Sequence, residues 1–125
     1  MYLLDTNIFL EILLGQSNKG KCKNFLVSNP DKIFISDFSL HSIGVILLRN
    51  KKANTFQEFI KDILPKIKIL SLPSVEYQEL TKSADKLKLD FDDLYQYCIA
   101  KHFELHIVTM DSDFNNVKDI KIEFL

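Results

Sequence analysis

Glycine is scarce in this chain, and its three copies, Gly15, Gly20 and Gly44, are scattered. A loop that cradles nucleotide phosphates needs clustered glycines, because its backbone must approach the phosphate closely. No serine stands in the strand-turn-helix motif of hydrolases that use a serine nucleophile. ATP-driven chemistry and Ser-His-Asp chemistry are therefore both disfavoured.

Cysteine and histidine are also rare. Cys22 and Cys98 are far apart and form no C-x-x-C motif, so we expect two reduced thiols. His102 and His106 are four residues apart, but a predicted helix ends and a predicted strand begins between them. Together with His41 they form no convincing set of metal ligands, and structural roles are expected for all three.

The chain has no excess of charge of either sign. Sixteen basic and seventeen acidic residues give a formal net charge of -1, so the net charge does not indicate nucleic-acid binding. Any polyanion must therefore be bound locally. The candidate basic segments, each better explained as a solvated helix face, are Lys19, Lys21 and Lys23, residues 49–52, and Lys82, Lys86 and Lys88.

Long hydrophobic runs are absent as well. The longest uninterrupted apolar run, residues 43–48, is far too short to span a bilayer. Asp5 interrupts the beginning of the chain before the hydrophobic core of a signal peptide can form. We therefore expect a cytosolic protein with no membrane segment. With 46% hydrophobic residues, the 125-residue chain is expected to form one domain over residues 1–125.

Apolar patterning predicts an α/β fold in which strands alternate with helices. Near-continuous apolar runs are typical of strands buried on both faces of a parallel sheet. Charged and apolar residues alternate in residues 66–69 and 121–124, and these two segments suit the edges of the sheet. Right-handed crossovers would place helices on both faces of the sheet. The predicted strands are residues 2–4, 33–36, 67–70, 106–110 and 120–124. The predicted helices are residues 8–14, 21–28, 40–49, 56–64, 75–87 and 92–104.

Acidic residues are concentrated where predicted strands give way to helices or turns. Asp5 ends the first strand, Asp92 and Asp93 open the last helix, and Asp111 and Asp113 follow the fourth strand. In an open parallel sheet, ligands bind beyond the carboxyl ends of the strands. If these strand ends meet, several like charges share one crevice and demand a neutralising cation. Oxygen-only ligands favour magnesium or manganese over zinc.

Each acid also has an ordinary structural explanation. Asp5 is suited to a turn or a helix cap, Asp90 to a cap, and Asp111 and Asp113 to Asx turns. The two acids that open the last helix complement the helix dipole. Convergence of the acids requires the first and fourth strands to be neighbours, which spacing alone does not prove. The coincidence of three acidic clusters at equivalent strand edges favours the functional interpretation.

Four segments, taken in order, form a recognisable pattern. They are YLLDTN at residues 2–7, Ile35 and Ser36 before an apolar helix, DLYQYCIA at residues 93–100, and VTMDSDF at residues 108–114. Together they resemble the PIN-domain family and, more narrowly, the VapC-type toxins of toxin-antitoxin pairs. The resemblance implies a three-layer α/β/α sandwich around a parallel sheet with strand order 3-2-1-4-5.

The resemblance also implies a function and a set of site residues. It implies an endoribonuclease that depends on Mg²⁺ or Mn²⁺, forms a homodimer and is inhibited by an antitoxin whose segment covers the acidic crevice. By position, Asp5, Asp93 and Asp111 match the catalytic acids, which with Asp113 are the implied metal ligands. Asp92 has no counterpart in the pattern.

The chain departs from the family pattern at one position. The family usually reads S-x-x-T-x-x-E along the helix after the second strand, whereas this sequence has Ser36, Ser39 and Ser42. A serine cannot supply charge to a metal, and at best it offers a hydroxyl or holds a water. Asp92 or Glu11 are the candidates to compensate. The alternative function is therefore a catalytically weak PIN-like module that binds RNA or a protein without cutting.

Overall fold

The computed structural model, which describes all 125 residues, contains a five-stranded sheet. Every neighbouring pair of strands is parallel, and the order is β3-β2-β1-β4-β5. This confirms the sequence prediction, and each strand lies within two residues of its predicted bounds. The strands are β1 (Tyr2–Leu4), β2 (Ile33–Ser36), β3 (Lys68–Leu70), β4 (His106–Thr109) and β5 (Ile122–Phe124).

Six α-helices connect the strands, as predicted. They are α1 (Thr6–Leu13), α2 (Lys19–Ser28), α3 (Asp37–Arg49), α4 (Ala53–Asp62), α5 (Tyr77–Leu87) and α6 (Phe91–His102). Short 3₁₀ helices occupy Leu64–Lys66, Ser74–Glu76 and Ser112–Asn116. None of these helices is both long enough and apolar enough to cross a membrane.

Successive residues of the central strands send their side chains into two separate cores. Leu3 and Ile107 pack in the cluster formed with α5 and α6. Leu4 and Val108 pack in the cluster formed with α1, α2, α3 and α4. Because neighbouring side chains of a strand point to opposite faces of the sheet, helices cover both faces. The fold is therefore the predicted three-layer α/β/α sandwich.

Five of the six helices begin one to three residues earlier than predicted, and for α1 and α3 the reason bears on the site. Asp5 accepts a hydrogen bond from the backbone N–H of Thr6 at 2.8 Å, so α1 begins directly after β1. Ser36 accepts from the backbone N–H of Ser39 at 2.9 Å, so α3 begins at Asp37. Each cap satisfies an N–H that has no partner within the helix. The chain therefore passes from strand to helix without a loop.

Candidate metal centre

Three carboxylates that are distant in sequence meet at the carboxyl edge of the sheet. Asp5 follows β1, Asp111 follows β4, and Asp93 lies in the first turn of α6. One oxygen from each carboxylate lies within 4.8 Å of the other two. Asp5 and Asp93 are buried, and Asp111 is half-buried. The neighbouring positions of β1 and β4 bring the first and third of these acids together.

The three carboxylates line an open pocket of about 280 Å³. No lysine, arginine or histidine is among the lining residues, so no cationic side chain in the pocket wall neutralises the acids. Uncompensated charges of this kind are costly inside a protein. The other lining residues are Thr6, Asn7, Leu10, Phe38, Ser42, Ile46, Asp92 and Gln96.

Hydrogen bonds hold Asp5 in a defined orientation. Thr109 Oγ1 donates to Asp5 Oδ2 at 2.8 Å, and the Thr6 N–H donates to Asp5 Oδ1 at 2.8 Å. Asn7 Nδ2 also lies 3.4 Å from Asp5 Oδ2. Thr109 Oγ1 in turn accepts from the backbone N–H of Asp111 at 3.0 Å. The threonine hydroxyl therefore links two of the three acidic residues.

Burial and mutual repulsion raise the pKa values in this group. Burial, followed by the charge of Asp5 and of other nearby carboxylates, raises the pKa of Asp93 to about 7. The pKa of Asp5 is also raised, because burial outweighs the opposing hydrogen bond from Thr109. The neighbouring charge of Asp111 raises the pKa of the exposed Asp113. A divalent cation would relieve the shortage of positive charge that these shifts report.

Gln96 lines the pocket, and its side chain has an unsatisfied oxygen. It lies three residues after Asp93 on α6 and is only 2% exposed. Its Nε2 donates to Ser39 Oγ at 2.7 Å, whereas its buried Oε1 has no hydrogen-bond partner. Leaving a buried amide oxygen unpaired costs free energy. Carboxylate and amide oxygens both suit hard divalent cations, so the residues present fit an ion such as Mg²⁺ or Mn²⁺.

Ser42, which stands where the family pattern has a glutamate, faces this pocket. Ser42 lines it, and so does Asp92, whose side chain is exposed at the start of α6. Glu11 is not among the lining residues, and its Oε2 accepts from the backbone N–H of Asn18 at 2.9 Å. His41 is exposed and also lies outside the lining. Of the two candidate compensating acids, only Asp92 reaches the pocket.

Asp113 lies outside the group of three carboxylates. Its side chain is exposed, and its backbone N–H donates to Asp111 Oδ1 at 2.8 Å. Asp111 therefore forms the expected Asx turn while it also lines the pocket. Asp90 precedes α6 as expected but makes no side-chain capping bond. None of the candidate basic segments lines this pocket.

Three neutral residues belong to the site, although the sequence analysis did not predict them as site residues. Asn7 stands two residues after Asp5, Thr109 stands two residues before Asp111, and Gln96 stands three residues after an acid on the same helix. A spacing of two places side chains on a shared face in extended backbone, and a spacing of three does so on a helix. The spacing from an acidic residue is the one signal in the sequence for these three side chains. Uncharged residues at such spacings are too common for it to identify them.

Comparisons with known proteins identify a family and a shared fold. A family model of the PIN domain matches residues 2–120. A comparison with curated proteins found no match.

Several solved structures share the fold. A toxin-antitoxin complex from Klebsiella pneumoniae contains a chain with 20% identity and a TM-score of 0.78, and the match covers 96% of this chain and 95% of that one. FitAcB from Neisseria gonorrhoeae has 27% identity, coverage of 98% and 96%, and a TM-score of 0.74. VapC20 from Mycobacterium tuberculosis, described as a sarcin-ricin loop cleaving toxin, has 14% identity, coverage of 92% and 93%, and a TM-score of 0.77.

Removal of one charge from the acidic group should stabilise the metal-free protein at neutral pH. The raised pKa of Asp93 means that its contribution to stability is present below the ordinary pKa of about 4 and is lost as the pH rises to about 7. In EDTA, Asp93→Asn should therefore melt a few degrees above wild type at about pH 7.5 and show no advantage at about pH 4. Thermal unfolding followed by circular dichroism measures both values. The exposed control Asp85→Asn should melt like wild type at both pH values. The same result for Asp93→Asn would contradict this account.

Proposed function

The chain belongs to the PIN-domain family, and on that premise we propose that it is a metal-dependent endoribonuclease acting as the toxin of a toxin-antitoxin pair. The observation that carries this proposal is the gathering of Asp5, Asp93 and Asp111 within 4.8 Å. Solved structures with the same fold include a toxin described as cleaving the sarcin-ricin loop, which is consistent with RNA as the substrate.

Asp5, Asp93 and Asp111 would hold Mg²⁺ or Mn²⁺, since an all-oxygen set favours these hard cations over zinc. When bound, such an ion supplies a water nucleophile at neutral pH and offsets the negative charge that develops on the phosphoryl oxygens. Asp113 is proposed as an accessory acid at the rim, because it lies close enough to Asp111 for its pKa to be raised.

The chain's own residues prepare the site for this chemistry. Thr109 and the N–H of Thr6 occupy both oxygens of Asp5, so the carboxylate is oriented before any ligand arrives. Leu10, Phe38 and Ile46 form an apolar part of the pocket wall. Apolar walls lower the local dielectric constant and strengthen the electrostatic interactions inside.

We propose two protein partners as well. Solved structures of similar fold include toxin-antitoxin complexes, and the pocket is open to solvent and lined by Asp5, Asp92, Asp93 and Asp111. A basic segment of an antitoxin would complement this charge and exclude RNA. A second copy of the chain, in a homodimer, is the other proposed partner.

Removal of a proposed metal ligand should abolish RNA cleavage. Wild-type protein is expected to cut RNA with Mg²⁺ or Mn²⁺ and to stop in EDTA. Asp5→Asn and Asp111→Asn should lose more than the roughly 10- to 100-fold that is typical of residues that only support a ligand. Cleavage of a labelled RNA measures these rates, and the exposed Asp85→Asn on α5 is the matched control. Equal cutting by wild type and both site variants would exclude the proposed nuclease.

Thr109 should act through the acids that it positions. Thr109→Val keeps the shape of the side chain but removes the hydroxyl that donates to Asp5 and accepts from the Asp111 N–H. We expect Mn²⁺ affinity to fall by about 10- to 100-fold. Calorimetric titration of Mn²⁺ measures the change independently of activity. The exposed Thr81→Val is the control, and an unchanged Kd in Thr109→Val would show that the hydroxyl has no such role.

A second candidate function is a catalytically weak module that binds RNA or a protein. Ser42 favours it, because this neutral residue lines the pocket where the family pattern has a glutamate. Ser42→Glu would add a carboxylate to the group formed by Asp5, Asp93 and Asp111 and should tighten Mn²⁺ binding by about tenfold or more, since ligand charge sets affinity for hard cations.

The neutral variant Ser42→Gln separates charge from size in this experiment. Mn²⁺ affinity and RNA cleavage are measured together in both variants. Cleavage that appears only in Ser42→Glu would support the weak module, whereas a wild-type protein that already cuts and gains nothing from the glutamate would exclude it.

A further inference from the structure

An aromatic surface extends from solvent into the acidic pocket. Phe91 is the first residue of α6 and is 56% exposed, although it stands only two residues before Asp93. Its ring stacks against Tyr95 with a centroid distance of 6.3 Å and an interplanar angle of 21°. The ring of Phe38, which lines the pocket, lies 6.4 Å from Phe91 and 5.9 Å from Tyr95. One set of rings therefore joins the exposed rim to the pocket.

This surface is held in place by hydrogen bonds beneath it. Tyr95 is 4% exposed, and its hydroxyl donates to Asp37 Oδ1 at 2.8 Å. The same hydroxyl accepts from the backbone N–H of Leu72 at 3.0 Å. Asp37 Oδ2 in turn accepts from Ser71 Oγ at 2.9 Å. Tyr95 is therefore fixed, and it gives the ring of Phe91 a rigid aromatic neighbour to pack against.

The charges around the rings restrict what binds there. Asp90 and Asp92 flank Phe91 in the sequence, and the pocket wall contains no lysine or arginine. The side chains of the rim therefore repel a phosphate, so a polynucleotide needs an uncharged surface to gain affinity here. The face of a nucleobase is such a surface, because it stacks on aromatic rings without a need for charge.

We propose that Phe91, together with Phe38, forms a stacking site for a nucleobase next to the scissile phosphate. The inference rests on the proposed ribonuclease function and assigns the residues that would receive a base next to the cut site. Bases of a duplex are already stacked on their neighbours, so only a splayed base reaches these rings. Stacking of this kind tolerates any base, because every base has a π face.

Two substitutions of Phe91 separate its flat ring from its hydrophobic volume. Phe91→Leu keeps an apolar side chain but removes the π face, whereas Phe91→Trp keeps a flat ring. The probe is a single-stranded oligoribonucleotide carrying 2-aminopurine, whose fluorescence falls on stacking, titrated with Ca²⁺ in place of Mg²⁺. Phe103→Leu is the matched control, because Phe103 is partly exposed at the opposite end of α6.

We expect Phe91→Leu to weaken binding about tenfold and to lose the quenching, because base-aromatic stacking contributes strongly to single-strand affinity. Phe91→Trp and Phe103→Leu should bind like wild type, and a duplex of the same sequence should bind wild type more weakly. Melting curves establish that each variant is folded. Wild-type affinity and quenching in Phe91→Leu would overturn the stacking site.

Cleavage of the unlabelled strand distinguishes the two proposals. If wild type cuts RNA and Phe91→Leu binds it equally well, the stacking site is wrong and the nuclease stands. If wild type neither binds nor cuts RNA, both proposals are wrong. A variant that binds RNA normally but loses a protein partner would assign these rings to a protein interface instead.

Discussion

The parallel pairing of β1 with β4 is the contact on which the site depends. Leu4 pairs with Val108, and the backbone N–H of Asp5 continues the ladder by donating to the Val108 carbonyl at 2.9 Å. Asp5 and the loop that carries Asp111 therefore leave the sheet side by side. If β1 and β4 were not neighbours, Asp5 and Asp111 would be separated, and each would be an ordinary turn or cap residue.

The fold holds this acidic group together at an electrostatic cost. Burial raises the pKa of Asp5, and burial with neighbouring charge raises that of Asp93 to about 7, which shows that neither carboxylate is well compensated. Leu3 and Leu4 beside the site are fully buried on opposite faces of the sheet, and burial of one such side chain contributes about 1.5–3 kcal/mol. Two well-packed cores thus stabilise a strand edge that is unfavourable by itself. Unfavourable local interactions that the surrounding structure compensates are typical of functional sites.

Helix α6 connects the acidic pocket with its aromatic rim. Asp93 in its first turn belongs to the carboxylate group, Gln96 brings an unsatisfied oxygen, and Phe91 and Tyr95 carry the rings. Because these side chains share one helix, its packing against the sheet sets their positions together. The neutral Ser42, which lines the same pocket, leaves it with one carboxylate fewer than the family pattern implies.

Much of this architecture was predictable from the sequence, because strands buried on both faces leave near-continuous apolar runs and each acid stands at the end of such a run or at the start of a helix. The early starts of α1 and α3 were missed, because Asp5 directly follows β1 and Ser36 is the last residue of β2, and each also caps the next helix. An apolar pattern does not mark such a residue. Sequence by itself thus determined the elements and the chemical type of the site. Only the tertiary structure decided that Asp93 joins Asp5 and Asp111 while Asp113 and Glu11 stay outside. It also decided that Thr109 orients Asp5 and that Gln96 lines the pocket. Distances between separate elements depend on strand register and helix packing, which no local pattern of residues encodes.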